Sequence, residues 1–182
     1  MAYFVTGATG FIGRHLVERL LERDGDVHVL VRSGSQERLN ALVGRWGEAA
    51  ADRVQPVLGD LQEPRLGLSH EQIAALRGQI EHFFHLAAIY DMTAAAEVNE
   101  RLNVVGTRNA VDLAGALEAE HLHHVSSVAV AGDFKGLFRE DMFDEGQGLP
   151  SPYHHTKFEA EKLVREQSPV PWRIYRPAIV VG

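Results

Sequence analysis

Met1 to Leu16 constrain this chain more than any other stretch, because Gly7, Gly10 and Gly13 fall there between an apolar run and an amphipathic one. Tyr3, Phe4, Val5 and Thr6 read as a short buried strand, and Phe11 to Asp24 has helical periodicity. Strand, glycine turn and helix, in that order, are what holding a pyrophosphate requires. Glycine lets the backbone turn sharply and approach phosphate. The start of the helix, across Thr9, Phe11 and Ile12, offers N–H groups and a partial positive charge. Gly13 falls in the first helical turn, where a missing side chain lets helix and strand pack closely. A glycine triplet alone is a common turn, and its place between strand and helix is what gives it meaning.

The next elements alternate regularly. Helix one carries Leu16, Val17, Leu20 and Leu21 on one face, and Val27 to Val31 is a β-branched strand. At its end, where dinucleotide-binding chains place an acidic residue for the ribose hydroxyls, stand Arg32 and Ser33. A guanidinium with a small hydroxyl suits a 2′-phosphate, the alternative being a surface arginine at a strand end. The expected cofactor is therefore NADP(H), with NAD(H) left open. Gln36 to Ala51 is a second helix with Leu39, Leu42, Val43 and Trp46 facing inward, and Val54 to Leu58 a third strand ending in Gly59-Asp60-Leu61. Asp60 there can accept from an adenine amino group or simply serve the turn. A polar loop over 62–70, a short helix Glu71 to Leu76 and a strand Ile80 to Leu86 follow. The small residues Ala87 and Ala88, running into Ile89 and Tyr90, then allow close passage of a flat ring or ribose.

A long helical tract is expected from about Thr93 to Leu117, with Val98, Leu102, Val105, Ala110, Leu113 and Leu117 as core. A fifth strand within His121 to Val130 ends near Ser126-Ser127, and Gly132 to Pro152 is a long acidic loop. Tyr153 to Glu166 is a helix and Val170 to Tyr175 a last strand. This βα alternation predicts an α/β chain, a Rossmann-type doubly wound parallel sheet with helices on both faces and strand order 3-2-1-4-5-6. Ligands then lie at the carboxyl ends of the strands.

Tyr153 and Lys157 lie four apart on one helix, so ammonium and phenol share a face. A phenol has a pKa of about 10, and a neighbouring cation moves it toward working range. Ser127, at a strand end, can hydrogen-bond a reacting oxygen. Taken alone such a pair is a solvated helix face, and its place downstream of a nucleotide-binding half makes it chemical. The chain has no cysteine, which excludes thiol nucleophiles, disulfides and zinc–thiolate sites. Its net charge of -7 disfavours nucleic acid and anionic membranes. No run spans a bilayer and no apolar leader is evident, so a cytoplasmic location is expected. Ten histidines, among them His121, His123, His124, His154 and His155, lack suitably spaced carboxylates, so no metal is expected.

In family order, Thr6-Gly7-x-x-Gly10-x-x-Gly13, Gly59-Asp60-Leu61, His85-Leu86-Ala87-Ala88, Asn103-x-x-Gly106-Thr107, Ser126-Ser127, Tyr153-x-x-x-Lys157 and Arg176-Pro177 resemble the short-chain dehydrogenase/reductase superfamily in its extended branch. Leu30-Val31-Arg32 and His85 to Tyr90 look most like the male-sterility-like reductase domains that act on fatty acyl or carrier-bound thioesters. The resemblance implies Tyr153 as general acid/base, Lys157 on the nicotinamide ribose, Ser127 (preferred to Ser126) polarising the carbonyl, and Asn103 in a positional role. It places Asp60, Leu61, Leu86, Ala87, Ala88 and Pro177 against the cofactor. It implies an acyl-thioester or other small carbonyl substrate and is compatible with a homodimer. Ala131 stands where many sugar-nucleotide members carry tyrosine, which weakens an epimerase or dehydratase reading. An intact Tyr/Lys pair weakens a non-catalytic dinucleotide sensor. Extended members continue past Arg176-Pro177, so residues 1–182 are expected to be the NAD(P)-binding part of a longer chain whose C-terminal substrate region is missing.

Overall fold

The computed structural model describes residues 2–88 and 100–181. Strands β1 (Ala2–Thr6), β2 (Asp26–Val31), β3 (Val54–Leu58), β4 (Ile80–His85), β5 (His121–Val125) and β6 (Trp172–Tyr175) form one sheet in the order β3-β2-β1-β4-β5-β6. All pairings are parallel. The order reverses between β1 and β4, which opens a crevice at their carboxyl ends. The expected Rossmann-type sheet is the one found.

The helices are α1 (Phe11–Leu20), α2 (Gln36–Trp46), α3 (Glu48–Arg53), α4 (His70–Leu76), α5 (Gly106–Ala116) and α6 (Pro152–Gln167). Central β1 is buried at every residue, which its unbroken Ala-Tyr-Phe-Val run permits. One side of the sheet packs Phe4, Phe83 and Leu122 against Leu113 of α5 and Leu163 of α6. The other packs Tyr3, Val5 and Val29 against Val17 of α1 and Leu39 of α2. Each such side chain contributes about 1.5–3 kcal/mol by leaving water.

Three expectations need correction. The first helix stops at Leu20, short of Asp24. The second is two helices, because Gly47 adopts φ +92 and breaks the ladder between α2 and α3. In the tract expected from Thr93, residues 93–99, with Val98, lie outside the described residues, as do Ile89 and Tyr90. Glu100–Val105 is π-helical, and Val105 is 37% exposed. The inward positions go to Asn103 and Thr107, two polar residues whose hydrogen bonds make burial tolerable. No described helix is long and apolar enough to cross a membrane.

A Cβ at Gly13 would strike the Gly7 carbonyl and come within 2.7 Å of Ala8 Cα. Gly13→Ala should therefore lower unfolding free energy by about 1–3 kcal/mol in urea titration. Gly44→Ala, inside α2 with nothing within 4 Å of the added carbon, should raise it by about 0.5–1 kcal/mol.

Candidate active site

The carboxyl ends of β1 to β4 enclose a cleft of about 330 Å³, lined by Gly7, Thr9, Gly10, Arg32, Asp60 and Ala87 among others. Gly7 sits at φ +76, and a Cβ there would lie 2.7 Å from the Ala87 amide nitrogen, so only glycine lets these two backbones meet. The first turn of α1 has no side-chain cap and no acidic residue, which leaves its positive end to an anion.

The cleft wall at β3 is fixed by an unusual turn. Arg65 and Leu66 both adopt left-handed φ, 51 and 59, at a cost of about 1–2 kcal/mol each. Leu66 is fully buried, and its carbonyl accepts the Asp60 amide at 3.0 Å. Asp60 Oδ1 accepts the Gln62 amide at 2.9 Å, and Asn109 of α5 donates to the Leu61 carbonyl at 2.8 Å.

Beneath the opposite wall lies a buried relay. The Thr6 hydroxyl oxygen accepts the Ala87 amide at 3.3 Å and stands 2.8 Å from His85 Nδ1. His85 Nε2 stands 3.1 Å from the Thr107 hydroxyl, which itself donates to the Asn103 carbonyl at 2.6 Å. These directions assign the tautomer: Nε2 carries the proton and Nδ1 accepts. Burial, and then the Lys157 charge, push the His85 pKa down to about 3, so the ring is neutral.

On α6, Tyr153 and Lys157 are both buried. Ser151 caps the helix through the His154 amide and Pro152 opens it, which fixes where Tyr153 falls. Lys157 Nζ donates to the Val125 carbonyl at 2.9 Å, at the end of β5. Burial lowers its pKa to about 8, against the opposing pull of Glu161. Ser127 lies two residues beyond that carbonyl, and its oxygen accepts the Ala129 amide at 3.1 Å. Asn103 Nδ2 donates to Thr156 Oγ1 at 3.2 Å, which ties the segment before α5 to α6 beside Tyr153.

One turn past Lys157, Glu161 is wholly enclosed. It accepts from Arg165 Nε at 2.9 Å and from Arg176 Nη2 at 2.6 Å. Burial would raise its carboxyl, but hydrogen bonding to Arg176 and then Ser126, the Arg176 charge and the Arg165 hydrogen bond hold it below the usual range. Arg176 Nη2 also donates to the Met142 carbonyl at 2.8 Å. Farther back, Asp133 and Gly148 bond reciprocally, so the stretch expected as a long loop is closed on itself.

With this geometry in place, the profile of the male sterility protein family, an NAD-binding family, matches residues 5–182. The chain belongs to that family. It is 34% identical over its whole length to a component of the linear gramicidin synthase of Brevibacillus parabrevis, of which it spans 4%. It is 30% identical over 90% of its length to the large subunit of the L-2-aminoadipate reductase of Penicillium chrysogenum, of which it spans 13%. The terminal R domain of the myxalamid PKS-NRPS pathway superposes with a TM-score of 0.88 at 37% identity, over all of this chain and 49% of that one. The chain thus spans less than half of each of these three proteins, and its homologues are reductases.

For this male sterility family member, the structure brings Gly7, Thr9, Gly10, Arg32, Asp60, Leu61, Leu86, Ala87 and Ala88 to one cleft. Gly13 packs on Gly7 and does not line it, and Phe11 and Ile12 stand at the exposed start of α1. Ser33 is in the turn after Arg32, where Ser35 takes the lining position. The Pro177 carbonyl accepts the Val128 amide at 3.1 Å, next to Ser127. Lys157 reaches the end of β5 just before Ser127, and Asn103 bonds α6 between Tyr153 and Lys157. Thr107, Glu161, Arg176 and Leu102 join the site although sequence reasoning does not mark them as site residues. Glu161 is signalled by its i+4 spacing from Lys157, whereas the partner of Thr107 lies 22 residues away.

On the other side of the sheet, His123 Nδ1 meets the Tyr175 hydroxyl at 2.9 Å and its Nε2 meets His82 Nδ1 at 3.0 Å. Burial, and then His82, Arg173 and His121, lower the His123 pKa to about 4. Between the ordinary histidine value and these depressed ones the unfolded chain binds more protons, so acid favours unfolding. Unfolding free energy should be steady from a pH of about 6.5, the ordinary histidine value, up to about 8, above which the depressed Lys157 makes it rise with pH. It should fall as pH drops toward 4 and then 3, followed by tryptophan fluorescence in urea. His123→Phe should remove its own share of that loss, down to about pH 4, and leave the shares of His85 and His124.

Proposed function

We propose that this chain binds NADP(H) and carries the proton-transfer residues of a reductase acting on a carbonyl or acyl-thioester-derived substrate. The observation that carries the reading is the burial of Tyr153 and Lys157 on one face of α6, with the ammonium held at the end of β5, the strand next to β4, whose end lines the glycine-floored cleft. The cleft suits the cofactor: the Gly7–Ala87 approach lets the backbone close on a pyrophosphate, the uncapped start of α1 offers it N–H groups, Asp60 can accept from an adenine amino group, and Arg32 offers charge to a 2′-phosphate.

When bound, the nicotinamide supplies the hydride. Tyr153 gives its phenolic proton to the substrate oxygen, and Lys157 favours the phenolate left behind. The Ser127 oxygen already accepts an amide, so its hydroxyl hydrogen is the part available to orient and polarise the carbonyl. Asn103 acts by position, joining the segment before α5 to α6. The names of its relatives, a gramicidin synthase, an aminoadipate reductase and an R domain, support a carrier-bound thioester as the substrate class.

In the full-length protein, Tyr153→Phe should cut NADPH-dependent turnover by roughly 10²–10⁴-fold. NADPH affinity by fluorescence titration should stay near the parent's, and unchanged turnover refutes the assignment. Arg32→Asp should move the ratio of NADPH to NADH dissociation constants in favour of NADH by about tenfold or more, the scale of one lost charge-assisted bond. A ratio that stays put removes the 2′-phosphate argument.

A further inference from the structure

Tyr153, Lys157, Glu161 and Arg165 follow one another at four-residue spacing along a single face of α6. The first three side chains are buried, so phenol, ammonium and carboxylate succeed one another inside the protein. The hydrogen bond that holds Lys157 goes to a neutral partner, the Val125 carbonyl. The titratable groups coupled to it by charge are His85 from β4 and His124 from β5, both held neutral by burial, and Glu161 from α6; Arg165 of α6 and Arg176 from the segment after β6 reach it through Glu161. Alongside, Asn103 is bonded to Thr156 of α6 and Thr107 to His85, and neither Asn103 nor Thr107 titrates. Glu161 is the one carboxylate in this group. It is shared with two guanidiniums, Arg165 at 2.9 Å and Arg176 through Nε at 3.1 Å and Nη2 at 2.6 Å.

We propose that Glu161 is a positioning residue of the Tyr153–Lys157 site: its carboxylate is the counter-charge that keeps the Lys157 ammonium charged inside the protein, and Arg176 and Arg165 set how much of that charge reaches it. The inference rests on the reading of Tyr153 and Lys157 as the proton-transfer pair. An ammonium stripped of water favours its neutral form unless an opposite charge is near. Glu161 supplies that charge one helical turn away. Each guanidinium that takes up part of the carboxylate also adds positive potential of its own. The ion pair therefore sets the upper pH at which Lys157 stays protonated and Tyr153 has a cation beside it. Because Arg176 also holds the Met142 and Arg139 carbonyls, the 132–151 segment is coupled to that setting.

The chain has three lysines, Lys135, Lys157 and Lys162, so an ε-carbon-labelled sample resolves Lys157 by NMR without substrate or cofactor. The parent should titrate at about 8. E161Q, of nearly the same shape, should titrate lower, and the alkaline limb of its turnover profile should move to lower pH with it. R176M should titrate higher, because it removes a competing cation. Both variants break the same ion pair, so a purely structural role would move Lys157 in one direction or not at all. Opposite shifts establish the role; an unmoved Lys157 in E161Q, or shifts of one sign, overturn it. Should either variant fail to fold, R165M, which loses one partly exposed bond, decides: a higher titration supports the role and an unmoved one ends it. If the titrations move as expected while Tyr153→Phe keeps full turnover, the electrostatic coupling stands and the assignment of the proton donor fails.

Discussion

The hydrogen bond between Thr6 and His85 is the contact on which the rest of the site depends. It joins the last residue of β1 to the last residue of β4, on the two sides of the switch in strand order, and Thr107 extends it to α5. The same Thr6 oxygen holds the Ala87 amide, so one hydroxyl sets how closely the segment after β4 approaches Gly7. A neutral imidazole suits this place because each nitrogen has a single task, one accepting and one donating. A charged ring would have two donors and no water to stabilise it, and burial prevents it. Glycine at position 7 and imidazole at position 85 are therefore two halves of one constraint: close approach on one side, and a strut that holds it on the other.

Charge inside the protein follows a similar economy. Arg165 and Arg176 are linked around the single enclosed carboxylate of Glu161, and removing one member of such a group strands the others. The same Arg176 reaches back to the Met142 carbonyl, and Gln147 Nε2 donates to the Val130 and Phe143 carbonyls. The segment that lacks helix and strand between residues 132 and 151 thus takes its shape from polar side chains that satisfy its backbone.

Much of this is legible in the residues alone. Val27 to Val31 and Val54 to Leu58 announce strands by β-branching, and the glycine turn after Thr6 announces both a parallel sheet and where its cleft opens. Local chemistry also signals the Ser151–Pro152 entry into α6, and with it the register of Tyr153 and Lys157. What escapes depends on contacts distant in sequence. Val105 reads as core by periodicity, yet the π-helical stretch and the buried polar pair Asn103 and Thr107 turn it outward. Gly47 lies inside an otherwise continuous helical pattern, and only its positive φ shows that the chain breaks there. His85 and Thr107 carry no local sign of one another, because sheet order alone brings them together.

The two walls of the cleft differ in how freely they can change. On the β3 side, the left-handed pair Arg65 and Leu66 fixes Asp60 through a buried side chain and a carbonyl at once, so almost any replacement there disturbs both. On the β2 side, Gly34 has open space around it, and Ser33–Ser35 form a short turn with no buried residue. The β2 bank is accordingly the side of the cleft where substitution meets least resistance. Homologous sequences should diversify after β2 while the Asp60 bank stays frozen, and anyone redesigning the nucleotide's ribose end has a tolerant loop to work with there.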